Sequence, residues 1–249
     1  LVEVAGKNAM VAPRHDSRGR LIDKQNFNRF NPSRRLVLAQ DSEKLLSILK
    51  LQPVVPVLIV DDAVSAVPLA RALVAGGLKA IEITMRTPAA LDAIRAVAAE
   101  VEGANVGAGT ILNAKDFEAA AEAGSTFIVS PGINKSVLDA ARGSKVPLLP
   151  GAATASEVMA LRDEGYKVLK FFPAEQAGGA PYLKALSSPL AGTVFCPTGS
   201  VSLKNANDYL ALPNVVCVGG SWVAPRELVA TGDWAGITKL AAEAAALRG

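Results

Sequence analysis

Residues 54–85 read VVPVLIVDDAVSAVPLARALVAGGLKAIEITM, and this stretch decides the fold. It opens on Val54 to Val60, a short run rich in β-branched residues, the composition of a buried strand. Ser65 to Ala75 follows as an alanine-rich segment with helical character, and Gly76-Gly77 gives it an ordinary stop. Ala80 to Met85 is β-branched again. Strand, helix and strand in such close succession are the signature of a βα unit in a parallel sheet.

Reading outward, the same alternation recurs. Further candidate strands are Asn105 to Ala108, Thr126 to Ser130, Val146 to Leu149, Lys167 to Phe172, Thr193 to Cys196 and Val215 to Val218, which brings the number to eight. Pro88 reads as opening a helix over Ala89 to Val101. Ala114 to Ala123 ends at Gly124, and Ser156, as N-cap, begins a helix that runs to Glu164. The chain finishes in an alanine-rich helix, Ile237 to Leu247, and Asp41 to Leu49 reads as a leading helix over the bottom of the sheet. Eight βα units predict an α/β protein, a closed (β/α)8 TIM barrel forming a single domain over residues 41–249. A doubly wound open sheet is the alternative.

Composition narrows the function. Half of the 249 residues are hydrophobic and few are aromatic, as buried parallel strands under amphipathic helices require. No run of 18 apolar residues is free of a charged, polar or proline break, so no membrane span is expected. The start carries no secretory pattern, and a cytoplasmic location is the expectation. Residues 1–40 hold eight Lys or Arg against three Asp or Glu, leaving 18 against 20, a balance of −2, for residues 41–249. The net charge of +3 therefore belongs to a polar basic leader, read as disordered, a cloning remnant or a mis-assigned start with Met10 as the alternative. The globular part is not basic, and no nucleic-acid partner is expected. Cys196 and Cys217 are too few for a disulfide framework and wrongly spaced for zinc, so both read as small buried hydrophobes. The single histidine, His15, lies in the leader, which leaves the globular part no imidazole for a metal cluster or a Ser-His-Asp triad. Neither a metal nor a cofactor is expected.

A barrel should carry its chemistry where strands end. Lys170 lies inside the apolar run Lys167 to Phe172, between Leu169 and Phe171, where a charge is costly unless it faces a site. It is the candidate nucleophile, since a neutral amine attacks a ketone; a lysine snorkelling from a strand end is the bland reading. Side chains alternate along Ala80 to Met85, so Glu82 points away from Ile81 and Ile83 and into the lumen, suited to proton shuttling or to a structural ion pair with a buried cation such as Lys170. Arg86, just beyond, could grip a carboxylate through two parallel hydrogen bonds. Gly107-Ala-Gly-Thr110 reads as a tight glycine turn ending in a hydroxyl, and Leu112 at the place of a third glycine excludes a dinucleotide fingerprint. Thr198-Gly199-Ser200 and Gly219-Gly220-Ser221 follow strands seven and eight, where barrels often bind phosphate.

Six motifs, in order and in register, then carry a resemblance: Glu82-Ile-Thr-Met-Arg-Thr87, Gly107-Ala-Gly-Thr110, Ser130-Pro-Gly132, Lys170-Phe-Phe-Pro-Ala-Glu175, Phe195-Cys-Pro-Thr-Gly199 and Gly219-Gly-Ser-Trp222. From about Val54 to its end the chain resembles the class I bacterial 2-keto-3-deoxy-6-phosphogluconate (KDPG) aldolases of the KDPG/4-hydroxy-2-oxoglutarate aldolase family. The resemblance implies Schiff-base cleavage of a small phosphorylated keto acid to pyruvate and D-glyceraldehyde 3-phosphate. It implies that Lys170 forms the Schiff base, that Glu82 is the general acid/base, and that Arg86 and Thr110 hold the pyruvate carboxylate. Pro131 would shape the pyruvyl pocket, and Gly199, Ser200, Gly220 and Ser221 would receive the phosphate. It further implies a homotrimer. One departure is visible, since the family commonly has a second glycine where this chain has Ser200. The rival readings are an aldolase for the phosphogalactonate epimer or for 4-hydroxy-2-oxoglutarate, and a non-catalytic barrel that binds a phosphorylated metabolite.

Overall fold

The protein is described here by a computed structural model that covers residues 42–247; the leader expected over residues 1–40 lies outside the described residues. The described chain begins with α1 (Ser42–Leu49), β1 (Val54–Leu58), α2 (Ala63–Ala75), β2 (Ala80–Thr84), α3 (Ala90–Glu100), β3 (Asn105–Gly109) and α4 (Ala114–Glu122). It continues through β4 (Phe127–Val129), α5 (Lys135–Ala141), β5 (Leu148–Leu149), β6 (Gly151–Ala152), α6 (Ala155–Asp163), β7 (Val168–Phe171) and α7 (Gly179–Leu186). It ends with β8 (Val194–Pro197), α8 (Ala206–Leu210), β9 (Val218–Gly220), α9 (Arg226–Thr231) and α10 (Trp234–Ala245).

All the strand pairs are parallel, and they run β5-β4-β3-β2-β1-β9 in one series and β6-β7-β8 in another. Two junctions close these series into a cylinder. β5 and β6 are halves of one strand position parted at Pro150, which has no N–H for the ladder. β8 meets β9 through the isolated bridges Phe195↔Val215 and Thr198↔Gly219. With β9 also paired to β1, Val54 opposite Val218, the sheet closes as an eight-position barrel rather than an open doubly wound sheet.

The core has two layers. Between strands and helices lie residues such as Leu69, Leu73, Ile81, Ile83, Ile94 and Leu169. Inside the cylinder, Phe127, Val129, Leu149, Val168, Cys196 and Cys217 pack with Leu45, Ile48 and Leu49 of α1, so the leading helix covers the bottom as its sequence implied. Cys196 and Cys217 are buried and not joined in a disulfide, their Sγ atoms 3.5 Å apart. Gln52 completes the floor. Its carbonyl oxygen accepts from the backbone N–H groups of Lys79 (2.5 Å) and Ala80 (2.8 Å), and its amide donates to the carbonyls of Val54 (2.9 Å) and Ala80 (2.7 Å), so both ends of its own buried side-chain amide are met.

Several boundaries differ from the sequence reading for local reasons. α2 starts earlier because Asp62 caps it, accepting from Ser65 N at 2.8 Å. α6 is capped by Thr154 and not by Ser156. The Thr154 hydroxyl accepts from Glu157 N while the Glu157 carboxylate accepts from Thr154 N (2.9 Å) and Ala153 N (2.7 Å), a capping box. Pro88 precedes the cap of α3, which is Ala89, instead of opening the helix. The last strand is shifted to Val218–Gly220, with Val215 making only its single bridge. No helix among the described residues is long and apolar enough to cross a membrane.

Candidate active site

The β2 and β7 strands bring the two most conspicuous polar side chains together inside the barrel. Ile81 and Ile83 join the outer core, so pleating turns Glu82 inward; Lys170 turns inward from β7, opposite Gly151 on one side and Cys196 on the other. Lys170 Nζ donates to Glu82 Oε1 at 3.3 Å, with the residues only 5% and 3% exposed. Such a pair persists because each charge, left alone, would be uncompensated in a dry interior. The Phe172 ring lies against the ammonium, its centroid 5.4 Å from Nζ.

Gly107 and Gly109 do not form the glycine turn that their sequence suggested; both lie within β3. They are small because large neighbours cross them. A Cβ at Gly109 would collide with Glu82 Oε1, and one at Gly107 with the Phe127 ring. The carboxylate is thus seated by a missing methyl group on the adjacent strand.

Thr110 follows β3 directly, with φ of +60°, a left-handed conformation that a β-branched residue rarely adopts. This turns its hydroxyl to accept from Arg86 Nε at 3.0 Å, and the two residues at the ends of β2 and β3 form one polar unit. Pro131 is half-buried and lies against Gly151, where any Cβ would strike the Pro131 carbonyl. It therefore abuts the register partner of Lys170.

Gly199, Ser200, Gly220 and Ser221 line one cavity of about 1290 Å³ together with Arg86 and Phe172. Lys170, Glu82, Thr110 and Pro131 are not in its lining; Phe172, touching both regions, connects it to the buried pair. Ser200 has φ of +56°. Its strained loop is tied by Gln176 Nε2 donating to the Ser200 hydroxyl (2.9 Å) and by Asn205 Nδ2 donating to the Ser200 carbonyl (3.2 Å). Tyr209 of α8 donates a short hydrogen bond to the Glu175 carboxylate and so holds the loop that leaves β7; burial, followed by that carboxylate, pushes the Tyr209 hydroxyl up from its ordinary value. Sequence reasoning missed Gln176 and Tyr209 because their partners lie 24 and 34 residues away and only the folded barrel makes them neighbours, and it missed Asn205 because a contact five residues back depends on the path of an irregular loop. No cluster of three or more His, Cys, Asp or Glu among the described residues is placed to hold a metal ion.

A parallel (β/α)8 barrel with a carboxylate-paired lysine buried on its sixth strand position, below a mouth of glycine loops, defines a lysine-bearing barrel of the aldolase class. The sequence profile described as KDPG and KHG aldolase matches residues 45–240. The chain belongs to the KDPG and KHG aldolase family. It is 50% identical over 194 residues to a 2-dehydro-3-deoxy-phosphogluconate aldolase of Pseudoalteromonas atlantica, covering 78% of this chain and 90% of the relative. It is 50% identical over 198 residues to the KHG/KDPG aldolase of Escherichia coli K12, covering 80% and 93%. Among solved structures it is similar to the KDPG aldolase of Legionella pneumophila with pyruvate captured as a covalent carbinolamine intermediate (TM-score 0.79, 41% identity, 80% of this chain and 97% of that one). It is also similar to the 2-keto-3-deoxy-6-phosphogluconate aldolase of Zymomonas mobilis ZM4 with 3-phosphoglycerate (TM-score 0.78, 47% identity, 85% and 98%).

Proposed function

We propose that this protein is a class I aldolase that reversibly cleaves 2-keto-3-deoxy-6-phosphogluconate to pyruvate and D-glyceraldehyde 3-phosphate. The observation that carries the reading is the buried Lys170–Glu82 contact, which pairs an amine with a base inside the barrel. Glu82 takes a proton from the Lys170 ammonium across that hydrogen bond. The freed amine attacks the C2 ketone, and loss of water leaves a protonated imine. Glu82 gives the proton it took from Lys170 to the departing hydroxyl as the carbinolamine loses water and, a base again, removes the C4 hydroxyl proton, directly or through a water. The C3–C4 bond breaks with its electron pair passing into the imine, and the phosphorylated aldehyde departs. The resulting enamine takes a proton at C3, and hydrolysis returns pyruvate and the free lysine.

In this reading Arg86 and Thr110 hold the carboxylate of the pyruvyl half, Pro131 bounds that half from the β4 side, and Gly199, Ser200, Gly220 and Ser221 receive the phosphate. Arg86 is already oriented toward such a role by its bond to Thr110. 4-Hydroxy-2-oxoglutarate shares the pyruvyl half and would use the same lysine, a second substrate favoured by the double name of the Escherichia coli relative. A homotrimer acting in the cytoplasm is the assembly and location that belong to this reading.

The test is intact-mass spectrometry after incubation with pyruvate and sodium borohydride, on wild type and Lys170→Ala in parallel. A pyruvate-sized adduct on wild type alone is the expected result. Its absence from folded wild type would overturn the mechanism and favour a barrel that only binds.

A further inference from the structure

The cavity that holds the glycine loops carries two cations in its lining, Arg86 and Arg226, and two carboxylates, Asp61 and Asp62. Their commitments differ. Arg86 donates through Nε to Thr110, and the reading above gives it to the pyruvyl half of the substrate. Asp62 is spent on its helix cap, one oxygen accepting from Ser65 N (2.8 Å) and the other from Ser65 Oγ (3.0 Å). The side chains of Arg226 and Asp61 make no hydrogen bond or ion pair with any described residue, and both residues are exposed. Arg226 is the first residue of α9, carried to the cavity by the turn that leaves Gly220-Ser221, where Ala224 N donates to the Ser221 carbonyl at 3.1 Å. Asp61 follows β1 on the wall formed by Ile59 and Val60.

A phosphate bound on backbone N–H groups alone keeps most of its charge, and a guanidinium neutralises it while donating two bonds in a plane that suits its oxygens. Arg226 is the uncommitted group of that kind in the cavity lining. Resting on the aldolase reading above, we propose that Arg226 is the specificity-determining cation for the substrate's phosphate, and that Asp61 opposes it, setting a ceiling on how tightly any anionic tail is held. Arg226 biases the cavity toward a dianionic end group and away from an uncharged one, and Asp61 limits that bias.

The experiment compares kcat/KM for 2-keto-3-deoxy-6-phosphogluconate and for the unphosphorylated 2-keto-3-deoxygluconate in wild type, Arg226→Ala, Arg226→Lys and Asp61→Asn, at low and high salt. Arg226→Ala is expected to lose about tenfold to a hundredfold on the phosphorylated substrate, mainly through KM. It should leave the unphosphorylated one within about twofold. Arg226→Lys should restore part of the loss, and Asp61→Asn should move phosphorylated turnover the other way, by about twofold to fivefold, with salt shrinking both effects. An equal loss on both substrates, or none on either, overturns the assignment. Borohydride trapping with pyruvate accompanies each protein and separates the two readings. A wild type that traps nothing fails as an aldolase, whereas a wild type and an Arg226→Ala that both trap, with unaltered substrate preference, fail only the role given to Arg226.

Discussion

At the scale of single residues, the Lys170–Glu82 contact is a structural liability, and the proposed mechanism makes it the chemical core. Glu82→Gln keeps the shape and a hydrogen-bond acceptor within reach of the 3.3 Å position while removing the base. It is expected to lower kcat by about 10²- to 10⁴-fold in a steady-state aldol cleavage assay. Pyruvate trapping should become slower without being abolished, because Lys170, the proposed nucleophile, remains. Ser200 makes a second prediction. A serine at φ of +56° costs more than a glycine would, and its hydroxyl recovers part of that cost through Gln176. Ser200→Gly should therefore change stability by less than about 1 kcal/mol, and a double-mutant cycle with Gln176→Ala should show a coupling of about 0.5 kcal/mol in urea unfolding. A zero coupling would mean that the Gln176 bond does not hold the loop.

At the scale of elements, the sequence told most about strands with clean alternation and least about short helices. Glu82 could be turned inward from Ile81 and Ile83 alone, because pleating fixes that geometry whatever surrounds the strand. Helices α5, α7, α8 and α9, of five to eight residues, went unrecognised, since so short a pattern has no periodicity to read and Pro181 interrupts α7. Gly107 and Gly109 were misread as a turn because the reason for them, a side chain crossing from the next strand, is a tertiary fact. The Thr154–Glu157 box was legible as Thr-x-x-Glu but was passed over in favour of Ser156. That box carries a pH prediction. Hydrogen bonds from Ala153 and Thr154 hold the Glu157 carboxyl below its ordinary value, despite opposing desolvation. A group whose folded value is depressed stabilises above its unfolded value and loses that contribution as pH falls through the folded one. Glu157→Gln should thus lower the thermal midpoint modestly near neutral pH, and the gap from wild type should narrow as pH drops below the usual carboxylate range. A gap constant with pH would exclude the charge as its source.

At the scale of the whole molecule, eight βα repeats were enough to give the barrel, because eight parallel strands close into a cylinder that pairs every strand on both sides and leaves no edge. What could not be read was how the cylinder is filled. The packed floor of Phe127, Val129, Leu149 and Cys196 above the covering helix reaches up to the level of Lys170, since Cys196 is the register partner of the lysine. Above it lies the cavity of about 1290 Å³. On the proposed mechanism the space around Lys170 is closed by this floor and opens past Phe172 toward the cavity, an asymmetry expected to set the synthetic scope of the reaction run backwards. Donor keto acids one carbon longer than pyruvate meet a base that cannot recede without disturbing close-packed side chains, whereas acceptor aldehydes of varied length extend toward the opening. Product formation from a panel of donors against one aldehyde, and of aldehydes against pyruvate, should fall steeply along the first series and gently along the second.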